Sequence, residues 1–363
     1  MKRILQIVDS MGMGGIQAFI MNVYRSIDKE EFQFDFLLHH KLPNSYDEEI
    51  KKLGGKIYYL PSRKDGILKN KKALDVFFKE HDEYKVVHQH ESSLTYIEPL
   101  IAAKNNGVPI RIIHAHSTKA SGNKIHTLLH YINKRRINDI ATHYFACGKL
   151  AGEWMYKNTS CETKFQIVNN GINIEEFKYN ESIRKEYRKL FGVENNFVIG
   201  NVGRFSNVKN HLFLIDVFNE YLKIDSHSIL VLVGSGELLD KIKNKALELG
   251  IQKKILFLGV RKDVASIVQM LDFVIIPSLY EGFPVTAVEA QANGVPCIIS
   301  DSVTKDVVIN KNVQMLSLSL GAKKWASSVN NQQDRETDVS GLLNCGFDIN
   351  TTIVFLKQIY EKG

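Results

Sequence analysis

Paired cysteines are missing from this chain of 363 residues. Cys147, Cys161, Cys297 and Cys345 lie far apart with no CxxC pair. That argues against a structural zinc site and a disulfide scaffold, and it suits a reducing cytoplasm. No stretch approaches the roughly 20 apolar residues of a membrane helix. The N-terminal run from Ile4 to Val8 is broken by Gln6 and followed by Asp9, so it reads as a strand rather than a signal peptide. Long Pro/Ser/Gly linkers and low-complexity tracts are absent. A P-loop, GxxxxGK[ST], is absent too, and no Asp-x-Asp metal signature occurs.

What remains is ordinary globular composition, 44% hydrophobic and 24% charged. The length exceeds what one core usually fills, so two domains are expected. The net charge of +7 is uneven. Residues 1–180 hold 26 Lys/Arg against 20 Asp/Glu, and the rest hold 21 against 20. A basic half suits an anionic partner such as a membrane surface, a polyphosphorylated lipid or nucleic acid, although a solvated basic face explains the charge equally simply. The modest excess and the lack of an RNA-binding motif count against nucleic acid.

Short Val/Ile/Phe-rich runs alternate with helical patterns. Strands are expected at 2–8, 32–38, 56–60, 85–90, 110–115, 143–147 and 165–168, with amphipathic helices including 16–27, 67–80 and 123–138. A charged stretch, 174–195, reads as a connection plus one polar helix. A second series follows, with strands at 197–202, 228–233, 254–258, 272–276 and 296–300. Its helices fall at 209–223, 237–249, 263–270 and 284–293. The rhythm predicts an α/β chain of two doubly wound, Rossmann-like domains, 1–180 and 181–347, facing each other across a cleft. A helix is expected over 348–363, with its packing partner left open. Ligands bind such sheets outside the carboxyl ends of the strands.

The stretch QIVDSMGMGGIQAFI, residues 6–20, joins a strand to a helix through Gly12, Gly14 and Gly15. Such a turn cradles phosphate or simply lets the helix pack on the sheet. A dinucleotide fingerprint is incomplete. The third glycine is missing, and the next strand, FQFDFLLHH, ends in His39 and His40 rather than an acid.

The second half is more specific. In GNVGRFSNVKNH, residues 200–211, Arg204 and Lys209 follow a strand end. A planar fork and a compact charge on one turn can grip a diphosphate from two sides. In PSLYEGFPVTAVEAQANGVP, residues 277–296, Glu281 precedes a helix that carries Glu289, with Gly282, Phe283 and Pro284 leading into it. The helix N-terminus offers N–H groups to an anion, and each carboxylate can take a diol. A glycosidase pair needs its carboxyls about 5–9.5 Å apart. Eight helical residues span about 12 Å, so the two suit different parts of one long ligand better.

Together these stretches resemble the retaining glycosyltransferases of family 4, with the GT-B fold, and most nearly the bacterial capsule and exopolysaccharide enzymes. The marks are Gly14-Gly15, Arg204 through Lys209-Asn210, and Glu281 through Glu289. IVNNGIN (167–173), LVGSGEL (232–238), FLGVRKDV (257–264) and NGVPCIISD (293–301) add to them, with Asn173 where the family has Asp. The likeness covers nearly the whole chain.

The resemblance implies an enzyme that moves a hexose or N-acetylhexosamine from a nucleotide-sugar, a UDP-sugar by family habit, to a lipid-linked or saccharide acceptor. No cofactor or metal is implied. Arg204 and Lys209 would hold the diphosphate, Glu289 the ribose, and Glu281 with the Gly282 and Phe283 N–H groups the sugar. Gly14 and Gly15 would approach the phosphates or the sugar. His116, in RIIHAHST (111–118), matches the active-site histidine. His114 points to the same face and reads as a hydrogen-bonded strand-end residue. HQHES (88–92) either lines the acceptor side or is structural. The segment 123–137 sets Lys124, Lys134, Arg135 and Arg136 beside Ile125, Leu128, Leu129 and Ile132. It is either a helix lying on an anionic membrane or one packing its stripe inward. The location implied is the cytoplasm, including the inner membrane face. A UDP-sugar 2-epimerase of similar architecture is the main rival, and a basic nucleic-acid-binding protein the other.

Overall fold

Nearly continuous Val, Ile, Leu and Phe runs can stand only in sheets buried on both faces, which the parallel βαβ arrangement provides. The computed structural model describes residues 1–12, 14–40, 45–119, 124–330 and 334–363. Met13 in the glycine turn and Asn123 at the start of the basic segment lie outside the described residues. Contacts divide the chain into two units, Met1–Gly171 with Ile349–Gly363, and Ile172–Asp348.

Among the described residues the first unit has one parallel sheet. Its strands are β1 (Lys2–Ile7), β2 (Phe32–Leu38), β3 (Ile57–Tyr59), β4 (Val86–Glu91), β5 (Ile110–Ala115), β6 (His143–Ala146) and β7 (Gln166–Ile167). The spatial order is β3-β2-β1-β4-β5-β6-β7. The order reverses between β1 and β4, which is the switch point where doubly wound sheets bind ligands. The glycine turn follows β1, and the H-x-H pairs end β4 and β5, so the sequence features converge on that edge.

β2 is buried along its length. Its two polar residues are hydrogen-bonded, as burial requires. Asp35 accepts two bonds from the Arg3 guanidinium at 2.5 Å each, one from the Tyr84 hydroxyl at 2.7 Å and one from the Lys56 N–H at 2.7 Å. The Gln33 amide donates to the Tyr24 hydroxyl and the Leu53 carbonyl. The C-terminal helix Ile349–Tyr360 belongs to this unit. Ile353, Leu356, Ile359 and Tyr360 join Phe19, Tyr24, Phe34 and Phe36 in its core, so the helix packs back on the sheet whose partner the sequence left open.

The second unit repeats the plan with β8 (Val198–Val202), β9 (Ile229–Val233), β10 (Ile255–Gly259), β11 (Phe273–Ile276), β12 (Cys297–Ser300) and β13 (Val313–Leu316), in the order β10-β9-β8-β11-β12-β13. Its switch point lies between β8 and β11. Residues 172–180 fall in this unit rather than before it, because Ile174–Phe177 packs on the helices Val264–Met270 and Val285–Asn293. The polar helix Glu181–Leu190 is anchored by Arg184 and Arg188. Both bond Asp272 and the carbonyls at the end of the helix Val264–Met270. Cations belong at that negative end of a helix.

Candidate functional site

In the second unit three loops leave the carboxyl ends of β8, β9 and β11, and backbone bonds stitch them together. The Gly203 N–H donates to the Val233 carbonyl at 2.9 Å and the Phe205 N–H to Ser235 at 2.9 Å. The Leu279 N–H donates to Val208 at 2.8 Å. Such closeness requires glycine. A Cβ on Gly234, whose φ is +133°, would stand 2.0 Å from the Gly203 oxygen. One on Gly236 would stand 2.4 Å from the Phe205 oxygen. This is the physical content of LVGSGEL, a motif whose role the sequence reading did not assign.

On this platform Lys209 Nζ meets Glu281 Oε2 at 2.7 Å, with both side chains largely buried. Ser278 Oγ donates to the other carboxylate oxygen. The Lys209 stem lies over Gly203. Glu289 sits on the helix Val285–Asn293, deep enough that burial pushes its carboxyl up to about 7, while the charge of Lys209 pulls it down. The structure thus brings Lys209, Glu281 and Glu289 into one electrostatic neighbourhood. Arg204 stands further out and pairs at 3.1 Å with exposed Glu237. Phe283 is buried and stacks on Phe347, ring centroids 5.0 Å apart. Its ring is therefore structural, and only backbone at 282–283 can serve a ligand. Pro284 caps the helix and Val285 opens it.

In the first unit the helix Gly15–Ser26 begins at the glycine turn, and the Gln17 amide ties it to the Ser10 carbonyl at 2.9 Å. Among the described residues a Cβ on Gly15 would meet nothing within 4 Å, and one on Gly14 only the tip of Gln17. Packing does not demand glycine here, and the open face leaves backbone accessible to a ligand.

His116 lies just past β5 and bonds His90 at 2.9 Å, Nε2 to Nδ1. His90 Nε2 reaches Gln6 Oε1 at 2.8 Å. A second chain runs alongside. The Tyr360 hydroxyl bonds His88 Nδ1 at 2.8 Å, and His88 Nε2 bonds His114 Nδ1 at 3.1 Å. Parallel register sets His90 beside His114, so alternate residues of HQH and HAH share one face. Phe19 walls the cluster against His90, His114 and His116. Burial pushes all four imidazoles down, His116 to about 3. They are neutral at physiological pH. His114 is the hydrogen-bonded strand-end residue expected, and His88 and His90 are buried beneath the edge.

The nitrogens of His88, His90 and His114 lie within 4.8 Å of one another, close enough to suggest a metal. The rings of His88 and His90 stack at 4.1 Å, however, and those of His88 and His114 lie parallel. Ligand lone pairs on stacked rings do not converge on a point, whereas zinc or its congeners need convergence. The geometry is that of a hydrogen-bonded network.

The helix Lys124–Ile140 turns His130, Asn133, Ile137 and Ile140 inward. Ile125, Leu128, Tyr131 and Ile132 are exposed, at 63, 59, 53 and 47%. The packed face is therefore not the apolar stripe. No helix among the described residues is long and apolar enough to cross a membrane.

Comparison with known proteins agrees with this geometry. Residues 182–332 match the family described as glycosyl transferases group 1. The chain is 35% identical to a Bacillus subtilis protein that carries the name glycosyltransferase EpsF, over 99% of this chain and 96% of the relative. It is 27% identical to the Escherichia coli UDP-Gal:alpha-D-GlcNAc-diphosphoundecaprenol alpha-1,3-galactosyltransferase, over 80% of this chain and 76% of the relative. The fold is shared with GT-B structures such as Anabaena HepE in complex with UDP and glucose, with a TM-score of 0.82, full coverage of both chains and 16% identity.

Proposed function

Because the chain belongs to the group 1 glycosyltransferases, we propose that it is a retaining, family 4 enzyme working from a UDP-sugar. It moves a hexose or N-acetylhexosamine to a lipid-linked or saccharide acceptor in bacterial cell-surface polysaccharide synthesis. The observation that carries the reading is the Lys209–Glu281 pair with Glu289 behind it, at the switch point of the second sheet. The E. coli relative, which acts on a diphosphoundecaprenol-linked sugar, supports the lipid-linked acceptor.

In this reading Lys209 and Arg204 grip the donor diphosphate and stabilise the charge that builds as the glycosidic bond breaks. Arg204 leaves Glu237 to do so. Cations on the protein make a metal unnecessary for that task. Glu289 accepts bonds from the ribose hydroxyls. Glu281 and the backbone N–H groups of Gly282 and Phe283 hold the sugar. From the first unit, His116 takes a sugar hydroxyl, and the Gly14–Gly15 backbone approaches phosphate or sugar. The acceptor oxygen attacks the face that the diphosphate leaves. Its proton passes to the departing phosphate oxygen, so configuration is retained without a covalent intermediate.

The helix Lys124–Ile140 carries the membrane side of the proposal. Its exposed Ile125, Leu128 and Ile132 stand beside exposed Arg135 and Arg136, the arrangement of a helix lying on an anionic surface. The enzyme then works on the cytoplasmic face of the membrane, where a lipid-linked acceptor is presented.

The test is a thermal-shift screen of UDP-, GDP-, ADP- and dTDP-sugars with EDTA present, followed by product analysis. Binding raises apparent stability by mass action. Stabilisation by UDP-sugars, with sugar transferred to an acceptor at retained configuration, is expected. An isomerised sugar formed without acceptor would point to an epimerase. A salt-dependent gel shift without any donor effect would point to nucleic acid.

A further inference from the structure

Two buried chains of hydrogen bonds end at the switch point of the first sheet, and one of them fixes a proton. The Gln6 amide turns Oε1 to His90 Nε2 at 2.8 Å and leaves its own buried Nε2 without a hydrogen-bond partner among the described residues. An amide oxygen only accepts, so in this orientation the proton sits on His90 Nε2. A neutral imidazole then carries its lone pair on Nδ1. The proton in the 2.9 Å bond between His90 Nδ1 and His116 Nε2 must therefore belong to His116. His116 is left with an unprotonated Nδ1.

Gln6, His90 and His114 are no more than 2% exposed, whereas His116 is half-buried. His116 is thus the accessible end of the chain. We propose that Gln6 and His90 are positioning residues that hold His116 in its Nε2–H tautomer, so that Nδ1 offers a lone pair to a hydroxyl of the bound sugar. The proposal rests on the reading that His116 meets the donor sugar.

The arrangement has a clear logic. A lone pair that accepts from a sugar hydroxyl orients the donor without placing positive charge beside it. A free imidazole interchanges its two tautomers, and the fraction protonated on Nδ1 would present N–H instead. The chain through His90 removes that ambiguity, just as the second nitrogen of a metal-bound histidine is fixed by its outer partner. The neighbouring rings do not reach a ligand instead: His88 and His114 are 1% and 0% exposed, and Phe19 has no acceptor.

The experiment labels every histidine of the full chain with ¹⁵N and reads each tautomer by long-range ¹H–¹⁵N correlation. The His116 resonance is identified by its loss in His116→Gln. In the wild type an unprotonated Nδ1 and a protonated Nε2 are expected for His116. Gln6→Leu removes the acceptor, and His116 should become a tautomer mixture. Gln6→Glu restores an acceptor and should restore the single tautomer. Turnover should follow the tautomer: kcat for donor-sugar hydrolysis or transfer falls about tenfold in Gln6→Leu with KM little changed, and recovers in Gln6→Glu.

A wild-type His116 protonated on Nδ1, or a tautomer unmoved in folded Gln6→Leu, overturns the proposal. Should Gln6→Leu fail to fold, His90→Gln serves instead. Its amide can accept from His116 and donate to Gln6, so the wild-type tautomer is expected to persist, and its loss overturns the proposal. Wild-type protein that gains no stability from any nucleotide-sugar refutes the transferase reading instead, and the tautomer measurement does not depend on that result.

Discussion

Lys209 and Glu281, 72 residues apart in sequence, form an ion pair of 2.7 Å between the loops after β8 and β11. In the proposed reaction these two groups serve different parts of one donor, the diphosphate and the sugar, and without donor each neutralises the other. Removing one member is therefore not equivalent to removing the other. Lys209→Ala should lower turnover about 10²–10³-fold, the scale of losing one preorganised donor to a developing anion. Glu281→Gln leaves the lysine charge uncompensated. It should bind UDP, which has no sugar, as tightly as wild type or tighter, while turnover falls about tenfold or more. Calorimetric titration with UDP beside steady-state kinetics separates the two. Equal weakening of UDP in both variants would make the pair structural.

Glu289 predicts a pH dependence. Its carboxyl is pushed up by burial from the ordinary 4.5 to about 7. A raised acid pKa means the folded chain favours the protonated form, so this group's contribution to stability falls as pH rises from about 4.5 to 7 and then levels off. Ribose hydroxyls donating to the carboxylate favour the ionised form instead. Affinity for a UDP-sugar should therefore rise with pH up to about 7 and be flat above it. Glu289→Gln should bind about tenfold or more weakly at pH 8, the scale of charge-assisted hydrogen bonds, with that pH dependence gone. Calorimetry from pH 5.5 to 8.5 on both proteins tests this, and a wild-type affinity that does not change across the range would sink it.

Legibility in the sequence followed the physics of each feature. Most strands stand within a residue or two of where apolar runs placed them, because a parallel sheet buried on both faces must be written as such runs. β13, Val313–Leu316, was missed. Its four residues include exposed Gln314 and half-buried Met315, which is no run at all. Arg204, Lys209, Glu281 and Glu289 were legible as motifs. The pairing of Lys209 with Glu281, and of Arg204 with Glu237 instead, depends on loop paths that spacing does not encode. The histidines were half legible. HAH was read as one face, yet its coupling to HQH needs the register of β4 on β5 and Gln6 from β1. Tyr360 reaches His88 from the far end of the chain, and only the packed C-terminal helix reveals that.

Two glycines should behave oppositely. Gly234 has a positive φ, and a Cβ there would stand 2.0 Å from the Gly203 oxygen, a backbone clash that no rotamer relieves. Gly234→Ala should cost about 3 kcal/mol or more of stability in urea unfolding, by strain at a special conformation. Gly15 opens a helix, and its Cβ would meet nothing within 4 Å among the described residues. Gly15→Ala should leave stability unchanged or raise it by up to about 1 kcal/mol, since alanine is the better helix former. It should nonetheless lower turnover if phosphate or sugar approaches that backbone. A Gly15→Ala protein as active as wild type would return the turn to a purely structural role.

The exposed face of the helix Lys124–Ile140 makes the last prediction. Ile125, Leu128 and Ile132 recur at helical spacing on the side away from buried His130, Asn133 and Ile137. The inward face is satisfied by other residues, so the helix does not need this stripe to pack. Replacing Ile125 and Leu128 together by Ser should leave the melting temperature within a few degrees of wild type, as surface substitutions do. The same change should remove much of the sedimentation with phosphatidylglycerol vesicles at low salt, because insertion scales with buried apolar area. Arg135→Gln with Arg136→Gln should weaken binding to anionic but not to neutral vesicles. Raising ionic strength to 0.5 M should release the wild type, since surface attraction falls off within a Debye length. Vesicle binding that is insensitive to both pairs, or absent from the wild type at low salt, would mean that the acceptor is met without this helix.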